Sequence, residues 1–191
     1  IIGFFLAAVA YQTDQPFLGW IALAVMGACL GFLPFNFRRG RPAGVFLGDA
    51  GSTVIGFVLA CVAVYGDWAE SRPLVSLVSP LLIFWLLIFD MVHTTIERIA
   101  TGRVSSFREW IEYVGKDHLH HRLAEALGSA RVSVMFIFLM GIGLGISALM
   151  LRNASSEGSL LLVLQAGILV VLVTVLERRG RSRSGGRAGA P

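Results

Sequence analysis

The sequence LVSLVSPLLIFWLLIFDMVHTTI, residues 74–96, is a nearly continuous apolar run, and its length matches the roughly 20 residues that a helix needs to cross a bilayer. Five further apolar runs cover residues 1–11, 17–35, 53–65, 132–151 and 159–176. The run at 53–65 is short, but residues 50–52 could complete it. The sequence therefore predicts an all-α fold, a polytopic transmembrane helix bundle with about six spans.

The composition is that of a membrane protein. Of 191 residues, 55% are hydrophobic and 15% are charged, and the mean hydropathy is +0.75, whereas soluble domains contain about 25% charged residues. The chain starts inside an apolar run without an initiator methionine, so we expect it to be the C-terminal part of a larger bundle. Residues 1–176 are predicted to form the transmembrane domain, and residues 177–191 a basic, disordered cytoplasmic tail.

The basic residues alternate between connections in a way that predicts orientation, because cytoplasmic loops collect Lys and Arg. The connections at 36–49 and 97–131, together with the tail from residue 177, hold fourteen of the sixteen basic residues. The exceptions are Arg72 and Arg152. The bias explains the net charge of +4 without a nucleic-acid partner, and it predicts a multi-pass protein whose histidine-bearing loop and C-terminus are cytoplasmic.

A first chemical motif, FLGDAGS at residues 46–52, places the carboxylate of Asp49 at the cytoplasmic mouth of a span. Such a carboxylate could bind a divalent cation, and small neighbours would let the backbone approach a phosphate. The alternative is that Asp49 or Ser52 serves only as a helix N-cap.

A second motif, DHLHHRL at residues 117–123, contains three of the four histidines. If it is helical, His118, His121 and Arg122 share a face and His120 lies roughly opposite; if it is extended, His118 and His120 share one side. Such a cluster could bind metal or phosphate and is hard to attribute to packing. A zinc pair is the weaker interpretation, because no third ligand stands at an obvious spacing.

Three further features have structural as well as functional interpretations. Asp90 is an ionisable residue near the end of a span, which by default suggests function, but it could equally pair with a neighbouring span or with His93. FREWIEYVG, residues 107–115, is predicted to lie on the membrane surface. The glycines of MGIGLGIS, residues 140–147, favour close helix packing over a nucleotide loop.

Taken together, an Asn-containing loop, FLGDAGS, a span ending in an Asp, and a basic loop with HLHHRL resemble the polyprenyl-phosphate N-acetylhexosamine-1-phosphate transferases of glycosyltransferase family 4. The resemblance extends from about Phe35 to Leu123, and HLHH is similar to the N-acetylglucosamine branch. It implies transfer of N-acetylhexosamine 1-phosphate from a UDP-sugar, such as UDP-N-acetylglucosamine, to polyprenyl (undecaprenyl) phosphate, with release of UMP. This is the first membrane step of a cell-wall or surface polysaccharide, in the bacterial inner membrane.

The resemblance also implies roles for individual residues. Asp49 would bind Mg²⁺, with Mn²⁺ as the alternative ion, and would be catalytic together with His118 and His120. Asn36, His121 and Arg122 would bind the nucleotide sugar. Membrane lipids are the remaining expected partners, and a homodimer is an open possibility.

The family's upstream DDxxD motif is absent from these residues, so we expect the chain alone to be inactive. The loops before FLGDAGS and before the histidines also look longer than is usual in the family. Two other hypotheses stay open at this stage: a non-catalytic membrane scaffold or transporter segment, and a membrane hydrolase that uses the histidines to bind zinc.

Overall fold

The computed structural model describes residues 1–38, 42–69, 72–113, 115 and 117–187, the last ten by their backbone only. Within this part of the chain the secondary structure is helical, without strands. The eight helices, in chain order, are α1 (Ile2–Gln12), α2 (Pro16–Asn36), α3 (Gly48–Tyr65), α4 (Pro73–Ala100), α5 (Phe107–Glu112), α6 (Leu119–Leu127), α7 (Ala130–Leu151) and α8 (Ser156–Arg187). The predicted all-α class is confirmed.

Five of the described helices are long and apolar enough to cross a membrane: α2, α3, α4, α7 and the Ser156–Glu177 part of α8. The sixth predicted run corresponds to α1, which is apolar but shorter. Only 11% to 33% of the apolar window of each of the five helices is buried. The outward-facing apolar side chains suit contact with lipid, since a water-soluble protein rarely exposes apolar patches of this size.

Helix α3 begins at Gly48, so the short apolar run is completed by residues that precede it, as the sequence suggested. Gly48 has a φ of 67°, a backbone conformation that glycine adopts at little cost, and it turns the chain into the helix. The predicted N-cap role of Asp49 or Ser52 is wrong: the cap position is Leu47, and no side chain caps the helix. Asp49 lies instead in the first helical turn.

The chain divides into two compact units, and the first comprises residues 1–83 and 144–159. Its polar turns meet: the Gln15 side chain donates to the Asp67 carbonyl (2.6 Å) and accepts from the Asp67 amide (2.9 Å). The Arg72 guanidinium donates to the carbonyls of Arg152 (3.1 Å) and Ala154 (3.0 Å). The turns that the sequence assigns to the non-cytoplasmic side therefore contact one another in pairs.

The second unit comprises residues 84–143 and the chain from residue 160 onward. Its apolar core joins α6 to α7 and α8, because Leu119 and Leu123 contact Met140 and Val173. Helix α6 ends at Gly128, which has a φ of 70°. This packing leaves the polar side of α6 to face its charged neighbours.

The backbone of α8 continues helically from its apolar part into the basic tail as far as Arg187. Residues 188–191 lie outside the described residues. The division at 176/177 into a membrane domain and a cytoplasmic tail stays a prediction.

Candidate functional site

The C-terminal half of α4 presents a polar stripe inside an otherwise apolar span. Residues three and four apart lie on the same helix face. The members of the stripe, spaced in this way, are Asp90, His93, Thr94, Glu97 and Arg98. Each of these side chains has a polar or charged partner in the second unit, and most of the partners belong to DHLHHRL, residues 117–123, or lie beside it. We call residues 117–123 the histidine segment.

The segment is fixed at its start by a two-point ion pair between α4 and the residue before the first histidine. Arg98 donates from Nε to Asp117 Oδ2 (2.7 Å) and from Nη2 to Asp117 Oδ1 (2.8 Å). The guanidinium of Arg98 also lies 4.4 Å from the centre of the Tyr113 ring. Hydrogen bonds from this guanidinium lower the pKa of Asp117 to about 2.

Asp90 holds the beginning of α6. Its Oδ1 accepts a hydrogen bond from the backbone amide of Leu119, the first residue of the helix, at 2.6 Å. Its Oδ2 lies 3.0 Å from Nδ1 of His118. Asp90 thus caps α6 from another helix, satisfying one of the amides that a helix N-terminus leaves without an intrahelical partner. Asp90 was expected to pair with a neighbouring span or with His93; the partners described here lie instead at the start of α6, which is not a span.

Arg122 is buried, with 7% of its side chain exposed, and it joins α6 to both α4 and α8. Its Nε donates to Glu177 at 3.2 Å, and its Nη2 donates to Asp90 at 3.3 Å. Its Nη1 lies 2.8 Å from Nδ1 of His93 and donates to the hydroxyl of Thr94 at 3.3 Å. The predicted contact of Arg122 with substrate would require these interactions to break.

Glu177 is a member of this cluster that the sequence did not single out as functional. It lies at the end of the apolar part of α8, and 3% of its side chain is exposed. His93 Nε2 lies 3.8 Å from Glu177, and Glu97 lies 3.8 Å from Nη1 of Arg122. The sequence did contain a signal for Glu177, because its carboxylate directly follows a long apolar run. From that position it can reach a neighbouring helix.

The three histidines differ from both arrangements expected from sequence. His118 is extended and precedes α6, whereas His120 and His121 lie within its first turn. The rings of His118 and His120 are nearly parallel, at 6° and 6.4 Å between centres, and those of His120 and His121 lie 4.0 Å apart. Burial, and then the nearby His121 and His118, lower the pKa of His120, which favours its neutral form. The structure therefore brings all three rings together.

The other predicted site residues, Asp49 and Asn36, belong to the first unit. Asp49 is exposed, and no described residue donates a hydrogen bond to its carboxylate. Asn36 ends α2, and its side-chain amide donates to the carbonyl of Val45 at 3.1 Å, which ties together the two ends of the loop before FLGDAGS. Residues 39–41 of this loop lie outside the described residues.

The described residues contain no group of three or more His, Cys, Asp or Glu side chains arranged to hold a metal ion. Mg²⁺ is usually bound through one or two carboxylates together with substrate phosphates and water, rather than by a complete protein cage. A single accessible carboxylate in the first turn of a helix fits that mode of binding. Asp49 could therefore supply one protein ligand.

Comparison with known proteins places these features in a family. Residues 1–67, which include Asn36 and Asp49, match the family model Glycosyl transferase family 4. The chain is 32% identical over 171 residues to the probable undecaprenyl-phosphate N-acetylglucosaminyl 1-phosphate transferase of Bacillus subtilis, a match that covers 90% of this chain and 44% of the relative. A match of this extent necessarily includes both FLGDAGS and the histidine segment.

Two other relatives agree. The decaprenyl-phosphate N-acetylglucosaminephosphotransferase of Mycobacterium leprae is 32% identical over 173 residues, or 83% of this chain and 41% of the relative. A phospho-N-acetylmuramoyl-pentapeptide-transferase of Alkaliphilus metalliredigens is 47% identical over 76 residues, or 40% of this chain and 22% of the relative. The chain thus spans less than half the length of these curated relatives. No solved structure gives a significant match.

Proposed function

The chain is homologous to the phosphosugar transferases of glycosyl transferase family 4, and from this premise we propose that it is part of an enzyme that builds a polyprenyl-linked sugar. The reaction transfers N-acetylhexosamine 1-phosphate from a UDP-sugar to polyprenyl phosphate. An oxygen of the lipid phosphate bonds to the β-phosphorus of the UDP-sugar, the bond from that phosphorus to the bridging oxygen breaks, and UMP leaves. The setting is the cytoplasmic face of the bacterial inner membrane.

The observation that carries this proposal is the similarity over 90% of the chain to a transferase of this type. Two structural features support it. The Asp49 carboxylate is accessible in the first turn of α3, and the histidine rings stand on a segment whose neighbouring residues are locked by ion pairs. A site that must hold one geometry through a reaction benefits from this kind of support.

The reaction joins two anions, so their repulsion must be offset. Bound Mg²⁺ would supply positive charge to the phosphate oxygens, and Asp49 would hold it through one carboxylate. His118 and His120 would act toward the diphosphate, and His121 and Asn36 would help to bind the nucleotide sugar.

The proposal is tested by Asp49→Asn in the full-length protein. We expect turnover to fall by roughly two orders of magnitude or more, with normal membrane insertion, because the amide removes the charge that holds the cation. Asp67→Asn is the matched control, since its hydrogen bonds to Gln15 use only backbone atoms of Asp67. Normal turnover of Asp49→Asn would contradict the metal role.

Metal analysis separates this function from a zinc hydrolase. Activity that is lost on chelation and restored by Mg²⁺ or Mn²⁺, without bound zinc, is the expected result. We also expect the 191-residue chain alone to release no UMP from a UDP-sugar, polyprenyl phosphate and Mg²⁺. Release of UMP under these conditions would show that the chain contains a complete site.

A further inference from the structure

The carboxylate of Asp90 divides its two oxygens between two tasks. Oδ1 faces three donors, which are the Leu119 amide at 2.6 Å, the Thr94 hydroxyl at 3.3 Å and Nη2 of Arg122 at 3.3 Å. Oδ2 faces Nδ1 of His118 at 3.0 Å. An ionised carboxylate accepts hydrogen bonds and cannot donate them. With Oδ2 as the acceptor, this contact places the proton at Nδ1 of the histidine.

A neutral imidazole carries one proton, so a proton at Nδ1 leaves the lone pair at Nε2. We propose that Asp90 is a positioning residue, which fixes the ring of His118 with Nδ1 protonated and with the Nε2 lone pair directed away from α4 toward the reactants. This inference rests on the proposed transferase function. His118 is about half exposed, at 49% of its side chain, so its free nitrogen can be reached from outside the cluster.

The surroundings of His118 restrict its movement from both sides. The preceding residue, Asp117, is held by Arg98 through two hydrogen bonds, and the following residue, Leu119, is held by Asp90. The other titratable or charged groups of this region come from three segments. They are His93, Glu97 and Arg98 on α4, Asp117, His120, His121 and Arg122 around the start of α6, and Glu177 on α8.

The substitution Asp90→Asn tests the role of the negative charge, because it removes that charge and keeps the size and shape of the side chain. All three donors at Oδ1 require an acceptor there, so the amide oxygen takes that place and the cap on α6 is retained. The amide nitrogen must then face His118 and donate to Nδ1. Nδ1 can accept only when it carries no proton, so the substitution transfers the proton of the neutral ring to Nε2.

The first measurement is ¹⁵N NMR of histidine-labelled chain in lipid nanodiscs at alkaline pH, with His118 assigned by comparison with His118→Gln. We expect the wild type to show a protonated Nδ1 and Asp90→Asn a protonated Nε2. A wild-type ring protonated at Nε2 would overturn the inference, and this result does not depend on how the variant folds.

The second measurement is turnover of the full-length protein. We expect Asp90→Asn to lower kcat by roughly 100-fold or more, in the range of lost general acid–base catalysis, with KM for the UDP-sugar changed by less than about threefold. Asp67→Asn serves as the control that keeps wild-type turnover. Wild-type kcat in Asp90→Asn would overturn the inference and leave the proposed function intact, because that function is judged by transfer in the wild type.

Discussion

Arg122 shows how one residue can be assigned to function by its motif and to structure by its contacts. As part of HLHHRL it resembles a cationic ligand for phosphate, but its guanidinium lies among Asp90, Glu177 and Glu97. Burial of a guanidinium is costly unless carboxylates surround it and its hydrogen bonds are made. Two helices, α4 and α8, supply these carboxylates, so Arg122 couples the histidine segment to both of them.

Asp117 makes the ion pair with Arg98 dependent on pH in a defined direction. Its pKa is lowered from the ordinary 3.8 to about 2 by the guanidinium of Arg98. The carboxylate therefore stabilises the fold fully above the ordinary pKa, and this contribution is lost as the pH falls from about 4 to about 2. We expect Asp117→Asn to lower the unfolding temperature at neutral pH, and the difference from wild type to shrink across that window.

The exposed pair of Arg108 and Glu112, at 2.9 Å, provides the control. Exposed pairs contribute about 0–1 kcal/mol, so Glu112→Gln is expected to change the unfolding temperature little at any pH. Thermal unfolding in detergent at a series of pH values measures both variants. If the unfolding temperature of Asp117→Asn stayed equally far below that of the wild type down to pH about 2, the ion pair would not be the cause of the difference.

The sequence identifies the candidate catalytic and binding residues of the site better than the residues that pair with them. FLGDAGS and HLHH stand out because charged or titratable residues are rare beside apolar runs, and Asp90 stands out because it interrupts one. The sequence did not identify the pairs of Arg98 with Asp117 and of Arg122 with Glu177, because they join residues 19 and 55 positions apart. Such pairs depend on which helices pack together, which periodicity does not specify.

At the scale of elements, apolar length predicted the spans well because a helix that crosses a bilayer must be apolar over a fixed length. Helix ends were less predictable. Helix α4 continues to Ala100, four residues beyond the apolar run, because its polar end is stabilised by partners in the second unit. Helix α5 is short and is fixed by Ser106, which accepts from the Glu109 amide, and by Trp110, which donates to Thr95.

Gly145 gives a test of close helix packing in the first unit. A Cβ at this position would overlap the ring of Phe5, which is itself buried, so α1 and α7 can approach only where glycine stands. We expect Gly145→Ala to destabilise the protein by about 1–3 kcal/mol, the usual cost of overpacking. Gly27→Ala is the matched control, because a Cβ there meets nothing within 4 Å. Equal thermal stability of the two variants would contradict the close contact.

At the scale of the whole molecule, the connections between the helices form two classes, weakly basic turns and basic loops. The contacts described here join connections of the same class. In the first unit the weakly basic turns are joined by Gln15 with Asp67 and by Arg72 with the turn after α7. Arg72 is thus a cation on the side predicted to be non-cytoplasmic, where its guanidinium donates to two carbonyls of the turn between α7 and α8. In the second unit, Arg122 and Glu177 join the basic loop to the start of the tail. When successive helices cross the membrane in alternate directions, successive connections lie on opposite sides. Connections of the same class are then the ones that can contact each other.

The direction of this alternation yields a prediction for the intact molecule. The positive-inside rule assigns the loop after α4 to the cytoplasm and the turn after α7 to the opposite side. With Cys29 and Cys61 replaced by alanine, we expect Asn153→Cys to react with a membrane-impermeant maleimide in intact cells and Ser105→Cys to react only after the membrane is opened. Both positions are exposed, so both should react fully in detergent. Labelling of Ser105→Cys in intact cells would invert the topology and would place the histidine segment on the side from which cytoplasmic UDP-sugars are excluded.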